Sequence, residues 1–447
     1  MWFLFGMAKT YRDWNLEQEM MFPPSVRDFV PEGHLAHFVR DTTRESLDLS
    51  AILEAYAEER GYPPYHPVMM TALLLYAYCQ GVYSSRRILK ACQERVDFMA
   101  VTGMQKPDFR TISDFRKRHL GALRGLFGQV LRLCQKQGLV KLGHVALDGT
   151  KVKANASKHK AMSYARMLKT EPELAAIVKE WLEKAEAIDA REDEEFGADR
   201  TGDELPEWVK DKQKRLEKIR EAKAALETEA AAEAAKASDD TKPSGPRGSR
   251  PSKNPPGVPK DKAQRNFTDP ESRIMKSGDG FVQAYNGQIA VDADSQVIVA
   301  QNLTNAPTDV QQLVPLVEQI KINTHRQAQE LSADAGYCSE ENLKELNRRH
   351  IEAYVATGRQ NHGQVAATGG GRVRNKTRVN AMRRKLQRGG RRSRYRLRKQ
   401  VVEPVFGQIK HGRGFRQFLL RGIAKAAGEW SLMCTAHNLL KLAAATG

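Results

Sequence analysis

The hydrophobic period changes near His144, and that change constrains the fold more than any other feature. From about Leu16 to Leu139 apolar residues recur at helical spacing with few strand signals. HVALDGTKVKA, which begins at His144, has the β-branched and alternating character of a strand leading into a turn at Asp148 and Gly149. The next strand-rich block, FVQAYNGQIAVDADSQVIVAQNLTN, starts only at Phe281, so any sheet the two share is interrupted by more than a hundred residues.

Within that block VQAYNGQIAV and QVIVAQNL read as a hairpin joined by Asp292, Ala293, Asp294 and Ser295. Thr308 or Asp309 then caps a helix, Glu330 to Ala335 returns as a buried strand, SEENLKELNRRH is a helix and IEAYVAT a further strand. Strand, hairpin, helix, strand, helix, strand predicts a mixed α/β sheet. The expected division is an all-helical domain over residues 1–140, a sheet core over 141–160 and 266–447, and an insertion over 161–265. The insertion reads as a helical hairpin from about Glu171 to Ala237, with Ile177 and Trp181 on one arm and Trp208, Leu216, Ile219 and Leu226 on the other. It is followed by SDDTKPSGPRGSRPSKNPPGVPKDKAQ, whose composition predicts a disordered linker.

In the helical part, Ser84 and Ser85 are candidate caps after the break at Gly81, and Thr111 is expected to open one long helix ending at Gly138, with Asp114 as capping partner. Near its start Arg116, Lys117 and Arg118 form a basic face suited to phosphate contacts or to solvent. The last stretch, from Gly422, reads as an amphipathic packing helix with Ile423, Trp430, Met433, His437 and Leu440 on its apolar side and His437 as a core histidine.

Seventy-two Lys and Arg stand against 54 Asp and Glu, a formal charge of +18, so a polyanion is the natural partner. Nucleic acid leads and an anionic membrane surface comes second. The charge is clustered: residues 372–399 hold fourteen Lys or Arg, including Arg383, Arg384, Lys385, Arg398 and Lys399, and no acid. Such repulsion needs a counter-charge, for which a nucleic-acid backbone is the obvious source. The five cysteines are odd in number, widely spaced and without a CxxC pair, which predicts a reducing cytoplasm rather than a disulfide or zinc framework. MWFLFG is too short for a signal segment, and the longest apolar run, Val68 to Cys79, is too short to span a bilayer.

Three acids sit in contexts suited to chemistry: Asp148 at the end of an apolar strand, Asp334 in SADAGY, too early to cap the helix that starts at Ser339, and Glu403 between Val402 and Val405 just after the basic strip. Two divalent ions held by two or three carboxylates can activate water or a 3′-hydroxyl and stabilise the leaving oxygen of a phosphodiester. Each acid also has a structural reading, as a turn residue, a strand end or an arginine partner. Pro404 places Glu403 in the first turn of its helix or at a kink. If that helix runs on, Lys410 lies about 10 Å further along the same face, where its ammonium can meet a DNA backbone. Asp292 and Asp294 fit the hairpin turn, Asp309 and Asp114 fit caps, and Glu429 fits the packing helix.

These pieces in this order, with GYPPYHPVMMTALLLYAY, PDFRTISDFRKRH, VALDGTKVKANAS, YNGQIAVDADSQVIVA, SADAGY and YRLRKQVVEPVFGQIKHGRGF, resemble the DDE transposases of bacterial insertion sequences. The resemblance implies an RNase H-like core carrying Asp148, Asp334 and Glu403 as catalytic and metal-binding residues, with two Mg²⁺ or Mn²⁺ ions. It implies strand hydrolysis at the transposon end, transfer of the 3′-hydroxyl to target DNA, N-terminal helices on the terminal inverted repeats, a homodimer in the end complex, and a nucleoid-associated place in the bacterial cytoplasm. A Tyr, Arg, Glu, Lys signature surrounds the glutamate in the family. Here Tyr395, Arg398 and Lys410 answer to it, but Arg398 lies five residues before Glu403, and Lys399 takes the expected Arg position. A relative that only binds DNA, and an RNase H-like nuclease without strand transfer, are the alternatives.

Overall fold

In the computed structural model, which describes residues 25, 29–56, 64–196, 207–239, 255–278, 280–358, 368 and 377–446, the described chain before His144 is helical. It comprises α1 (Leu35–Glu45), α2 (Ser50–Leu53), α3 (Pro67–Cys79), α4 (Ser85–Glu94), α5 (Val96–Thr102), α6 (Phe109–Arg118) and α7 (Leu120–Lys136). α3 is apolar all round, and from Met70 to Cys79 every residue is buried, which makes it the centre of this bundle. Pro67 opens it without loss of a hydrogen bond, and His66 Nδ1 accepts from the Val68 N–H at 3.2 Å. The helix expected to open at Thr111 is two helices. Asp108 caps α6, accepting from the Arg110 N–H at 2.8 Å, and the chain leaves helical geometry at His119 before α7 begins. Asp114 pairs with Lys117 instead of capping.

The sheet is built around β1 (His144–Lys153). It is followed by β2 (Ala161–Ser163), α8 (Tyr164–Phe196), α9 (Glu207–Asp239), β3 (Gln264–Asn266), β4 (Arg273–Ser277), β5 (Gly280–Asp292) and β6 (Ile298–Thr304). Then come α10 (Leu313–Thr324), β7 (Glu330–Ala333), α11 (Glu340–Arg348), β8 (Glu352–Val355), α12 (Arg378–Gly389), α13 (Leu397–Gly407) and α14 (Ile423–Thr446). β1 pairs antiparallel with β5 and parallel with β7, β8 extends the parallel side, and β4 and β6 both pair with β5. An RNase H-like mixed sheet follows a helical N-terminal region, as the resemblance implies. The hairpin of β5 and β6 turns at Asp292, whose buried carboxylate accepts from the N–H groups of Leu142 and Asp294.

Between β1 and β4 the two long helices α8 and α9 pack on each other, and β2 pairs with β3 at their root. Tyr164, Met167, Ile219, Ala222 and Leu226 form a small separate core there. The expected linker lies partly outside the described residues.

α14 is not amphipathic. From Ala426 to Leu439 it is buried on every side, because it runs between the helical region and the sheet, against α7, α3 and β6. His437 is the core histidine expected: its Nε2–H donates to the Gln296 carbonyl at 2.9 Å, its Nδ1 accepts from Arg413 at 3.2 Å, and burial pushes its pKa down to about 3. Buried Glu429 accepts from the N–H groups of Leu419 and Leu420. At Gly428 the helix meets α7 so closely that a Cβ would stand 2.5 Å from Leu120 Cγ. Gly428→Ala is therefore expected to lower unfolding free energy by about 1–3 kcal/mol, read from denaturant midpoints. An unchanged midpoint would show that the two helices have slack.

Candidate active site

Register places the first two acids. Leu147 pairs with Ala333 across the parallel β1 and β7 ladder, so Asp148 and Asp334 follow side by side on strands about 4.8 Å apart. Asp148 does not end its strand at a turn. β1 runs on to Lys153 because Gly149 to Lys153 pair with Gln288 to Ala284 of β5. Asp334 does cap after all, though not the helix at Ser339: its Oδ1 accepts from the Gly336 N–H at 2.9 Å and closes the 3₁₀ turn Ala335–Tyr337.

Glu403 is carried by α13, six residues after the helix opens, beyond the first turn. Pro404 lies inside this helix and cannot bond the Gln400 carbonyl, which accepts from Gln296 Nε2 at 3.2 Å instead. Beyond Gly407 the chain widens into a π-helical turn, Gln408–Gly412, so Lys410 does not continue a regular α-helical face. Its Nζ donates to the Lys151 carbonyl at 2.8 Å, which ties α13's exit to β1.

Arg398 links the first and third acids. Its Nη1 lies 2.6 Å from Asp148 Oδ2 and its Nη2 3.4 Å from Glu403 Oε1, with 12% of the side chain exposed against 50% for Glu403. Burial raises the pKa of the Tyr395 hydroxyl, and the charge of the same guanidinium opposes that rise. Burial pushes Asp148 up to about 7; the Arg398 charge opposes this, and Asp334 and Asp309 reinforce it. Burial also raises Asp334, with Asp309 adding to the rise and the Gly336 N–H opposing it.

Asp309 belongs to this site and not to a cap. It stands at the start of a 3₁₀ turn but makes no capping hydrogen bond. Its Oδ1 accepts from Asn286 Nδ2 at 2.6 Å and Gln288 Nε2 at 2.7 Å, with Lys151 Nζ at 3.5 Å. Register and strand alternation put Gly149, Lys151, Asn286 and Gln288 on the sheet face opposite Asp148. A Cβ on Gly149 would lie 2.4 Å from Gln288 Nε2 and 2.9 Å from Asp309 Oδ1; one on Gly336 would lie 3.1 Å from both Asp309 Oδ2 and Asp334 Oδ1. The carboxylate thus fills the space that these two glycines leave. Tyr337 donates its hydroxyl to Gln288 Oε1, and Asn342 Nδ2 donates at 2.7 Å to the carbonyls of both Val310 and Tyr337, locking the Asp334 turn to the Asp309 turn. Asn286 and Gln288 had a sequence signal: they are amides within an otherwise apolar, fully buried stretch of β5.

The basic candidates fare differently. Arg116 is buried and donates to the Tyr83 carbonyl at 2.9 Å, so it braces the bundle and is out of reach of a phosphate; Lys117 and Arg118 are exposed. Residues 372–376 of the basic strip lie outside the described residues, and some cations of the described part have partners within the chain. Lys385 pairs with Glu352, Arg394 with Glu330 at 2.5 Å and Arg398 with Asp148, while Glu340 accepts from the N–H groups of Arg378 and Val379 at the start of α12. Arg383 donates to the Thr368 carbonyl, and Arg384 and Lys399 are exposed.

Among the described residues no three His, Cys, Asp or Glu side chains converge to hold a metal ion as they stand. The donor set still suits a hard divalent cation: Asp148 and Asp334 are neighbouring, poorly solvated carboxylates, and the group between Asp148 and Glu403 is itself a cation. No helix among the described residues is long and apolar enough to cross a membrane.

Two family models match the chain, a Transposase domain (DUF772) over residues 24–118 and a Transposase DDE domain over residues 254–439. The second includes Asp334 and Glu403; Asp148 lies between the two. No curated protein and no solved structure matches.

Asp148 yields a pH dependence. Its ordinary value is near 3.8 and its folded value about 7. Between those values the folded chain holds a proton that the unfolded chain has released, so this contribution to stability falls as pH rises. Without divalent ions, the melting temperature of wild type relative to Asp148→Asn is expected to decline from pH 4 to pH 7.5. A difference that stays level above about pH 5 would mean an ionised Asp148 throughout.

Proposed function

Because the chain belongs to the DDE transposases of insertion sequences, we propose that it binds the inverted-repeat ends of its element as duplex DNA and catalyses metal-dependent strand cleavage and strand transfer. The observation that carries this reading is the register that sets Asp148 beside Asp334, with Glu403 reached through the same arginine that holds Asp148. Asp148, Asp334 and Glu403 would hold two Mg²⁺ or Mn²⁺ ions. When bound, such ions activate the attacking oxygen and stabilise the leaving one.

The chain's own groups do the rest. Arg398 balances Asp148 and Glu403 in the free protein and pairs with a phosphate once that balance is supplied otherwise. Exposed Lys399, Arg384, Lys117 and Arg118 contact the DNA backbone. Asp309 is a positioning residue: through Asn286, Gln288 and the two glycines it fixes the strand segment beside Asp148 and the turn that carries Asp334. The N-terminal helices serve end recognition, and two copies of the chain act together in the end complex. Two poorly solvated carboxylates, Asp148 and Asp334, held side by side favour an enzyme over a relative that only binds DNA, since such a relative has no need to hold them together.

Asp148→Asn, Asp334→Asn and Glu403→Gln should each cut Mg²⁺-dependent cleavage of end-bearing duplexes by at least about 10²-fold, several kcal/mol of transition-state stabilisation. Retained cleavage in all three sinks the assignment, and hydrolysis without joined product would leave a nuclease. Asp309→Asn should lower Mn²⁺ affinity by about 10–100-fold, the range for a residue that orients metal ligands. Calorimetric Mn²⁺ titration reads this directly, and unchanged affinity with a lowered melting temperature would make Asp309 merely structural.

A further inference from the structure

The root of the α8–α9 hairpin holds a basic cleft that the active site does not use. It has a volume of about 500 Å³ and is lined by His159, Lys160, Arg166, Lys214, Arg215 and Lys218, with Asp211 the one acid and Met162 and Phe267 on its floor. The five Lys and Arg side chains are exposed and make no ion pair among the described residues. Elsewhere the same hairpin does neutralise its cations. Glu171 pairs with Arg220 and Lys223, and Glu229 with Arg265 and Arg273. Five Lys and Arg without an ion pair among the described residues are thus gathered around this one cleft.

That place is rigidly built. Lys214, Arg215 and Lys218 share a face of α9, and Lys214 and Lys218 are about 6 Å apart along its axis. α9 is fixed by Ile219, Ala222 and Leu226 in the small core with Tyr164 and Met167 of α8. The opposite wall, Lys160 to Met162, leads into β2, which pairs with β3. The Phe267 N–H donates to the Lys160 carbonyl at 3.0 Å, and Asn266 Nδ2 donates to the Ser157 carbonyl at 2.8 Å. A clamp of this kind matches a row of fixed negative charges, which duplex DNA offers at about one per 3.4 Å along each strand.

We propose that this cleft binds the phosphate backbone of duplex DNA, giving the insertion a DNA-holding role separate from the catalytic carboxylates; the inference rests on the transposase reading above. Its lining is mostly cationic, which suits contacts to phosphate oxygens along a duplex.

The test uses the full chain and its Lys214→Ala, Arg215→Ala, Lys218→Ala triple variant. Fluorescence anisotropy measures binding to an end-bearing duplex and to a scrambled one between 50 and 200 mM salt. Loss of three phosphate contacts should reduce the slope of log K against log salt by about 2–3 and weaken both duplexes alike. The charge-conserving Lys214→Arg, Lys218→Arg variant should bind as wild type, with the melting temperature unchanged in all three proteins. An unchanged slope in the triple variant overturns the cleft proposal alone; failure of wild type to bind either duplex overturns the transposase reading. Cleft-dependent binding to phosphatidylserine vesicles with DNA affinity unaffected would assign the surface to a membrane and also overturn the proposal.

Discussion

Hydrogen bonding on both edges of β1 is the constraint from which the site follows. The β5 ladder fixes which face each β1 side chain takes, and the β7 ladder brings Ala333 level with Leu147. A one-residue slip of either partner would send Asp148 or its neighbours to the wrong face. α14 and α7 hold this sheet against the helical region through contacts as close as Gly428 with Leu120 and Gly287 with Trp430. The placing of Asp148 beside Asp334 is thus a product of core packing, whereas half-exposed Glu403 comes from the helix α13.

The charges around β1 are balanced in two groups. On one face Arg398 serves Asp148 and Glu403; on the other, Lys151 and two amides serve Asp309. Asp334, at the strand end, feels Arg398, Lys151 and Asp309 together. Buried carboxylates persist only when paired or hydrogen-bonded. Among the described residues the Asp334 carboxylate accepts one hydrogen bond, from a backbone N–H in its own turn.

Periodicity made the change from helix to sheet legible, and β1, β5, β6, β7 and β8 were each readable along the chain, whereas the short strands β2, β3 and β4 were not. Local rules failed where a distant partner decided the outcome. Asp148 before Gly149 reads as a turn, yet β5 supplies the ladder that keeps the strand going. Asp309 reads as a cap, yet Asn286 and Gln288, about twenty residues earlier, outbid the backbone for its carboxylate. α14 reads as amphipathic because its polar residues are real, but Glu429, His437 and Asn438 all find buried partners. A single sequence shows residue type and spacing, and none of these partners.

The same distinction governs the net positive charge. A Lys or Arg is available to a phosphate only where the fold has not already satisfied it. Within the densest basic strip Arg394, Lys385, Arg398 and Arg383 are engaged by Glu330, Glu352, Asp148 and the Thr368 carbonyl. Arg116 is lost to the bundle in the same way. The cleft between α8 and α9 reverses the pattern, with fewer cations and no acid placed to neutralise them beyond Asp211. Sequence density alone therefore does not tell which cations of the strip and of the hairpin are open to a phosphate.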